Sequence, residues 1–336
     1  MTGRRCAVAV LAIVLVSLAP VGAAGQSAAS GNWTPPRTAD GHPDLQGTWA
    51  NNSATPMQRP EQFGEKARLT DEELAELTSQ IAAFRDSEQA GDLLGDRLIQ
   101  QALGDSEFQD FDEVTGNYNA FWLVERQLDN RTSLIIDPPN GRRPAQTAAA
   151  RASATERSAY SSMHPSDGPE DRNLGDRCLY FSAPNMGSGY NSYSQIFQTE
   201  NQVTIIQEMG HIVRSVPLDG RPHLDEKIPQ WSGSARGHWE GDTLVVETRN
   251  YEPRSRFSGA SENLVLTERF SRPAPGVLRQ EITLNDPETW ERPWTVELLL
   301  DESQDAIFEY ACHEGNYAMP GILGGARQLE RAEGGQ

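Results

Sequence analysis

The sequence predicts a mainly antiparallel β fold, either a barrel or an open sheet, with helices inserted near the N-terminus. Strand signals recur at short intervals after residue 160, and no segment long enough for a crossover helix separates them. Many successive antiparallel strands remove their free edges by closing into a barrel or by pairing two sheets. The predicted strands are SQIFQT, QVTIIQE, HIVRSVP, ARGHWE, TLVVETRNY, LVLTERF, VLRQEITL and WTVELLL.

The first half of the chain carries fewer strand signals and more helix signals. Residues 25–60 are rich in Pro, Asn, Ser and Thr and predict an extended segment, with a first strand in HPDLQGTWANN. Residues 61–160 predict an insertion of helices and a hairpin. There, Thr70 and Glu73 form a capping box before an apolar stripe. A second helix is expected over residues 92–103. Two strands are expected around the Asp129–Asn130 turn, and a further helix in AQTAAARASATERSAY. Residues 161–336 form the antiparallel region, and we expect one domain together with 43–160.

Residues 1–24 have the features of a signal peptide. Arg4 and Arg5 precede an apolar run that is too short to span a bilayer, and the small residues of VGAAG follow. Cleavage is expected after Ala23 or Ala24. The arginine pair leaves both the general and the twin-arginine export routes open. The sequence therefore predicts a periplasmic or secreted protein.

Export determines how the cysteines are interpreted. Cys6 leaves with the signal peptide, and Cys178 and Cys312 remain. Two cysteines in an oxidising compartment predict one disulfide. This bond would join a tyrosine-rich loop to the HEGNY stretch. It would place His313, Glu314 and Asn316 beside Tyr190, Asn191 and Tyr193.

The charge balance excludes two classes of partner. The chain has 29 basic and 48 acidic residues, a formal net charge of −19. Such a surface repels phosphate backbones and anionic lipids, so neither nucleic acid nor a membrane is expected as a partner. We expect a small molecule instead. The oligomeric state is left open.

One carboxylate stands out as a candidate for acid–base chemistry. Glu268 shares the apolar face of LVLTERF with Leu266 and Phe270. A carboxylate that faces the interior must form an ion pair, be protonated or take part in catalysis. His313 and Glu314 follow the strand-like IFEYA and could act with Glu268 at a barrel mouth. His211, near Glu208, could converge on the same place. The alternative for Glu268 is a buried ion pair with Arg214, Arg269 or Arg279.

Cofactor and metal signatures are weak. No nucleophile elbow, phosphate loop or dinucleotide fingerprint occurs, so no organic cofactor is expected. The six histidines are scattered, and no metal is expected. A site assembled from His211, His238 and His313 is the alternative.

The aromatic residues suggest a binding wall. Trp231, Trp239, Tyr190 and Tyr193 fall at turns and strand ends, and with Asn316 they could contact an aromatic compound or a sugar. The alternative is ordinary packing in the core and at the barrel ends.

Two resemblances add to this interpretation. The stretch Gly47-Thr48-Trp49 resembles the opening of lipocalin-like barrels, which implies a lipocalin-like fold. The long helical insertion after Trp49 departs from that pattern. The stretches RTSLIIDPPNG, PLDGRPHL, GHWEGDTLVVETRNY, ASENLVLTERF, NDPETW and FEYACHEGNY resemble those of a family of uncharacterised exported proteins from soil and marine bacteria, over residues 43–327. That resemblance implies export and a shared architecture, and it implies no activity.

Two functions follow as hypotheses. The first is an exported hydrolase, lyase or isomerase that acts without a cofactor on a small apolar or aromatic molecule, with Glu268 and His313 sharing proton transfer. The second is a binding protein for a small apolar, aromatic or sugar ligand, which would use the same pocket without turnover.

Overall fold

The computed structural model describes residues 33–85 and 126–334, and a single antiparallel sheet dominates this part of the chain. Its strands are β1 (Gly47–Ala50), β2 (Ile135–Asp137), β3 (Tyr193–Thr199), β4 (Gln202–Gln207), β5 (Ile212–Pro217), β6 (Ser234–Glu240), β7 (Thr243–Arg249), β8 (Val265–Ala274), β9 (Val277–Asn285) and β10 (Trp294–Ser303). Nine strands follow one path in the order β5-β4-β3-β1-β10-β9-β8-β7-β6, and the short β2 pairs with β10.

The sheet curls into a nearly closed barrel. Its two end strands, β5 and β6, form no ladder with each other but lie in side-chain contact. At Gly237 on β6, an added Cβ would stand 2.7 Å from Leu218 Cδ2 and 2.8 Å from Val216 Cγ1. Because glycine has no side chain, β5 and the residue after it can pack directly against the β6 backbone at this point. The predicted antiparallel fold with a lipocalin-like barrel is confirmed.

Alternating side chains account for the sheet, as the sequence predicts. All eight strands predicted after residue 160 are present. On β8, Leu266, Glu268 and Phe270 are buried, while the residues between them are partly exposed. The β6–β7 hairpin turns at Gly241 and Asp242, where Glu240 pairs with Thr243. Gly241 has a φ of +58°, a conformation that glycine adopts without steric cost.

The core fills the barrel and includes the tryptophan of the lipocalin-like opening. Trp49 on β1 is fully buried, and its Nε1 donates a hydrogen bond to Leu45 O at 2.9 Å. The Arg272 guanidinium lies 5.0 Å from the Trp49 ring centre and 5.8 Å from that of Trp33. These contacts hold the N-terminal segment near the end of β8.

The described ranges contain the helices α1 (Asp71–Arg85), α2 (Ala148–Met163) and α3 (Ala318–Gly334). The capping box before α1 is confirmed, since Thr70 N donates to Glu73 Oε2 at 2.9 Å and Glu73 N donates to Thr70 Oγ1 at 3.3 Å. The alanine-rich segment forms α2 as predicted. None of the helices in these ranges is both long and apolar enough to span a membrane.

Three predicted local structures either differ from the structure or lie outside the described residues. The helix predicted over residues 92–103 and the FWLVE half of the predicted hairpin lie outside the described residues. The other half of that hairpin contributes only the three-residue β2. The strand-like IFEYA is not part of the sheet, and α3, which follows it, was not predicted.

Replacing Gly237 with alanine tests how the barrel closes. The added methyl group would overlap Val216 and Leu218, so we expect the free energy of unfolding to fall by about 1–3 kcal/mol. Gly315→Ala is the control, because a Cβ there meets nothing closer than 3.9 Å. Urea denaturation of both variants is the measurement, and equal stabilities would contradict the proposed β5–β6 contact.

Candidate binding site inside the barrel

A buried ion pair crosses the barrel interior. Arg214 on β5 and Glu268 on β8 are 4% and 0% exposed. Arg214 Nη1 donates to Glu268 Oε1 at 3.1 Å, and Nη2 donates to Oε2. Gln280 on β9 adds a third hydrogen bond, from Nε2 to Glu268 Oε1 at 2.8 Å. All of these donors converge on one carboxylate, so Glu268 is held in a single orientation.

This pair is the alternative that the sequence offers to a catalytic Glu268. Of the three arginines considered, Arg214 is the partner. Arg269 instead donates to Glu240 at 2.8 Å, and Arg279 lies 3.5 Å from Glu297. Both of these contacts are on the outer side of the sheet, because Arg269 and Arg279 alternate with the inward-facing positions of β8 and β9.

The surroundings of the pair are strongly desolvated. Burial alone lowers the pKa of the Arg214 guanidinium, but the charge and hydrogen bonds of Glu268 outweigh burial, so its pKa lies above the ordinary value. Burial also raises the pKa of Tyr251 and of Tyr180, which lie near the pair. Arg214 Nε and Tyr251 Oη are buried without a hydrogen-bond partner among the described residues. The cluster is therefore polar and removed from bulk solvent.

A small cavity adjoins Arg214 at the end of the barrel where β4 ends and β5 begins. It offers about 20 Å³ to the centres of water-sized molecules, somewhat more than one ordered water requires. Its wall combines polar and apolar side chains from six strands and one loop. The lining residues are Pro184, Asn185, Ser194, Ile196, Ile205, Gln207, Arg214, Phe270, Gln280 and Leu300.

Two segments lie over this end of the barrel: residues 178–192, which we call the cover loop, and residues 304–317, the C-terminal arm. Gln207 Nε2 holds the cover loop by donating to Ser182 O at 2.8 Å. Glu208 holds the arm, since its Oε1 accepts a hydrogen bond from Phe308 N at 3.1 Å. The end of β4 therefore anchors both segments.

A disulfide joins the cover loop to the arm. Cys178 and Cys312 are bonded, with their Cα atoms 5.7 Å apart and a separation of 134 positions in the sequence. The predicted pairing is confirmed. Asn316 supports the junction by donating to Asp176 O at 2.7 Å and to Cys178 Sγ at 3.3 Å. A disulfide closing a loop of this length stabilises a fold by roughly 2–5 kcal/mol, and it fits an oxidising compartment.

The predicted catalytic residues occupy two different environments. His313 and Glu314 are exposed on the arm, and His211 is exposed in the β4–β5 turn, whereas Glu268 is fully buried. Among residues 33–85 and 126–334, no hydrogen bond joins any of these three to Glu268. Within the same ranges, no group of three or more His, Cys, Asp or Glu side chains is arranged to hold a metal ion.

The predicted aromatic residues are distributed around the barrel and do not line the cavity. Trp231, just before β6, stacks on Tyr180 with ring centres 6.2 Å apart. Trp239, near the far end of β6, stacks on His42 at 4.4 Å. Tyr193 begins β3 and is half-buried; burial is the main cause of its raised pKa, with Asp305 and Glu208 adding to it. Tyr190 lies half-buried in the cover loop.

Several cavity residues were not predicted as site residues, although the alternation of side chains along the strands marked some of them as polar residues that face inward. Arg214 alternates with Val216 on the apolar face of HIVRSVP, and Gln280 lies between Leu278 and Ile282 on the apolar face of VLRQEITL. Both are polar side chains in inward positions, which is the pattern that identified Glu268. Asn185 comes from a loop without periodicity and carried no such signal.

No protein-family model, no curated protein and no solved structure matches this chain.

The buried tyrosine predicts a pH dependence of stability. Tyr251 stays neutral in the folded protein above the pH at which an unfolded tyrosine ionises, about 10. The contribution of the neutral Tyr251 to the free energy of unfolding is therefore fully present below about pH 10. Above that pH it is lost as the pH rises, by up to about 1.4 kcal/mol per pH unit. We expect Tyr251→Phe to flatten this fall in urea denaturation between pH 9 and 11.

The matched control is Tyr317→Phe, because Tyr317 is 81% exposed. This variant should reproduce the wild-type slope. A Tyr251→Phe protein that lost stability with pH as steeply as the wild type would contradict the buried, neutral state of Tyr251.

Proposed function

We propose that this chain is an exported, non-catalytic binding protein that takes a small molecule into the barrel cavity beside Arg214. The observation that carries the proposal is the engagement of Glu268 by Arg214 and Gln280 next to a cavity of mixed polarity. The carboxylate that the sequence marks as a candidate acid or base is committed to structural partners. The polar groups around it are consistent with recognition of a ligand.

This arrangement favours binding over proton transfer. Glu268 accepts two hydrogen bonds from the Arg214 guanidinium and one from the Gln280 amide, so both of its oxygens are engaged by neighbouring side chains. Removing Glu268 from this arrangement would leave Arg214 as an uncompensated buried charge, which is costly. His313 lies on the surface and is not connected to Glu268 by any described hydrogen bond. The hydrolase, lyase or isomerase expected from the sequence stays a prediction.

The cavity lining defines the chemistry of the ligand. Ile196, Ile205, Phe270 and Leu300 supply apolar contacts, and the amide, hydroxyl and guanidinium groups supply polar ones. Binding sites for small molecules typically have such an apolar wall with a few polar groups. The present volume suits only a very small ligand. A molecule the size of a sugar or an aromatic ring would require the cover loop to move away from β4.

Export is the other part of the proposal. Residues 1–24 have a charged, an apolar and a small-residue region in the order of a signal peptide. The Cys178–Cys312 disulfide supports the same conclusion, because disulfides persist in oxidising compartments. We therefore infer a periplasmic or secreted location.

Filling the cavity tests the proposed function. Ser194→Leu adds apolar volume to the cavity wall, whereas Ser215→Leu adds the same side chain to the exposed outer face of β5. Each protein is produced with its own leader in a bacterial host and recovered from outside the cytoplasm, and its native and denatured masses are compared. We expect a small-molecule mass excess in the wild type and in Ser215→Leu, and its loss in Ser194→Leu.

The denatured mass also reports leader cleavage after Ala23 or Ala24. A mass excess that survives Ser194→Leu would place the ligand elsewhere, and a wild-type protein without any mass excess would count against a retained ligand. Retention of residues 1–24 would contradict the export part of the proposal.

A further inference from the structure

The strand path of the barrel leaves one junction without a ladder. Every neighbouring pair on the path is antiparallel, from β5–β4 at one end to β7–β6 at the other. Because the path has nine strands, its two end strands, β5 and β6, run in the same direction. An antiparallel ladder needs opposite directions, so β5 and β6 cannot be joined in the way that the other neighbours are.

Side-chain packing joins the two end strands instead. Among residues 33–85 and 126–334, no backbone hydrogen bond connects β5 to β6. Val216 and Leu218 lie against β6 at Gly237, where an added Cβ would stand 2.8 Å from Val216 Cγ1 and 2.7 Å from Leu218 Cδ2. We call this contact the seam. Separating any other neighbouring pair on the path would break backbone hydrogen bonds, whereas separating the seam breaks apolar contacts.

The chain segment between the two strands leaves them room to separate. Leu218 N donates to Asn201 O at 2.9 Å, so the chain is attached to the β3–β4 turn at this point. Arg236 Nε on β6 donates to Pro222 O at 2.8 Å, so the chain is attached to the other side of the seam shortly afterwards. Gly220 lies between these two points with a φ of +73°, and an added Cβ there would meet no atom within 4 Å. The link across the seam is therefore short and exposed.

The buried ion pair draws β5 toward the opposite wall of the barrel. Arg214 Nη1 on β5 donates to Glu268 Oε1 on β8 at 3.1 Å. When an apolar contact opens, its surfaces meet water at a cost. When a buried ion pair opens, both charges regain the hydration that they lost on burial, and this gain offsets much of the lost attraction. Such a contact is suited to a closure that reopens.

We infer that the barrel opens at the seam, where β5 separates from β6 while the ladders in the rest of the sheet stay intact. The Arg214–Glu268 pair is the latch that holds the closed form. This opening gives the barrel interior a route to solvent that is separate from the cover loop. It requires no ligand, so it stands apart from the proposed binding function.

Two matched cysteine variants test this opening. Val216 at the seam and Val296 on β10 are both fully buried, and β10 is the middle strand of the path, with a ladder on each side. Val216→Cys and Val296→Cys are alkylated with iodoacetamide in the mature protein, where Cys178 and Cys312 are bonded to each other. Labelling is followed by mass spectrometry at several urea concentrations below the unfolding transition.

We expect the thiol at position 216 to be labelled at least about tenfold faster than the thiol at position 296, because a local opening costs less free energy than global unfolding. Its rate should also depend less on urea, because opening the seam exposes less surface than unfolding the whole protein. Circular dichroism verifies that each variant is folded. Ala235→Cys, buried on the β6 side of the seam, repeats the measurement if Val216→Cys does not fold.

Glu268→Gln tests the latch. This substitution removes the negative charge and keeps the size of the side chain, so it should accelerate labelling of Val216→Cys by a larger factor than labelling of Val296→Cys. Equal acceleration at both positions would overturn the role of the ion pair as the latch.

Equal labelling rates at the two positions, with the same dependence on urea, would show that the seam opens only when the whole protein unfolds. That result would overturn the inferred opening. Since no ligand takes part in these measurements, they leave the proposed binding function to its own test.

Discussion

The Arg214–Glu268 ion pair imposes the constraint on which the rest of the barrel depends. Its partners lie on β5 and β8, which are six steps apart along the sheet. In a flat sheet those strands would be separated by roughly 28 Å, at about 4.7 Å per strand. The two side chains can meet only across the interior of a curled sheet. Neither charge could remain buried alone, so the pair links the closure of the barrel to the polarity of its interior.

The Arg214–Glu268 ion pair also determines which polar groups of the candidate site are engaged by the protein itself. Both oxygens of the inward Glu268 carboxylate are engaged by Arg214 and Gln280. The other polar groups of the cavity wall are amides and a hydroxyl, and they lie beside apolar side chains. The cover loop and the C-terminal arm, joined by Cys178 and Cys312, lie over this end of the barrel. The arrangement combines a rigid polar wall, built on strands, with a cover tethered by a covalent bond.

The strands and their inward-facing residues could be predicted from periodicity. The position of the cavity and of the segments that cover it required three-dimensional information. Alternation identified the strands and placed Glu268 inside. It also separates Arg214, which faces inward, from Arg269, which follows Glu268 and must face outward. The position of the cavity could not be predicted, because it depends on which distant strands the barrel brings together. The tyrosine-rich loop and its tether to the HEGNY stretch were predicted, but the position of this cover loop over the barrel end was not, because the loop has no periodicity. The glycines and proline of α3 mask its helical pattern, so this helix was not predicted.

A double-mutant cycle on the ion pair tests the central claim most directly. Arg214→Met and Glu268→Leu each leave one buried charge without its partner, and each should cost about 3–5 kcal/mol in the free energy of unfolding. The double variant removes both charges and should cost less than either single substitution, with the strong non-additivity expected of groups in contact. Costs that simply add in urea denaturation would contradict an ion pair that holds the barrel together.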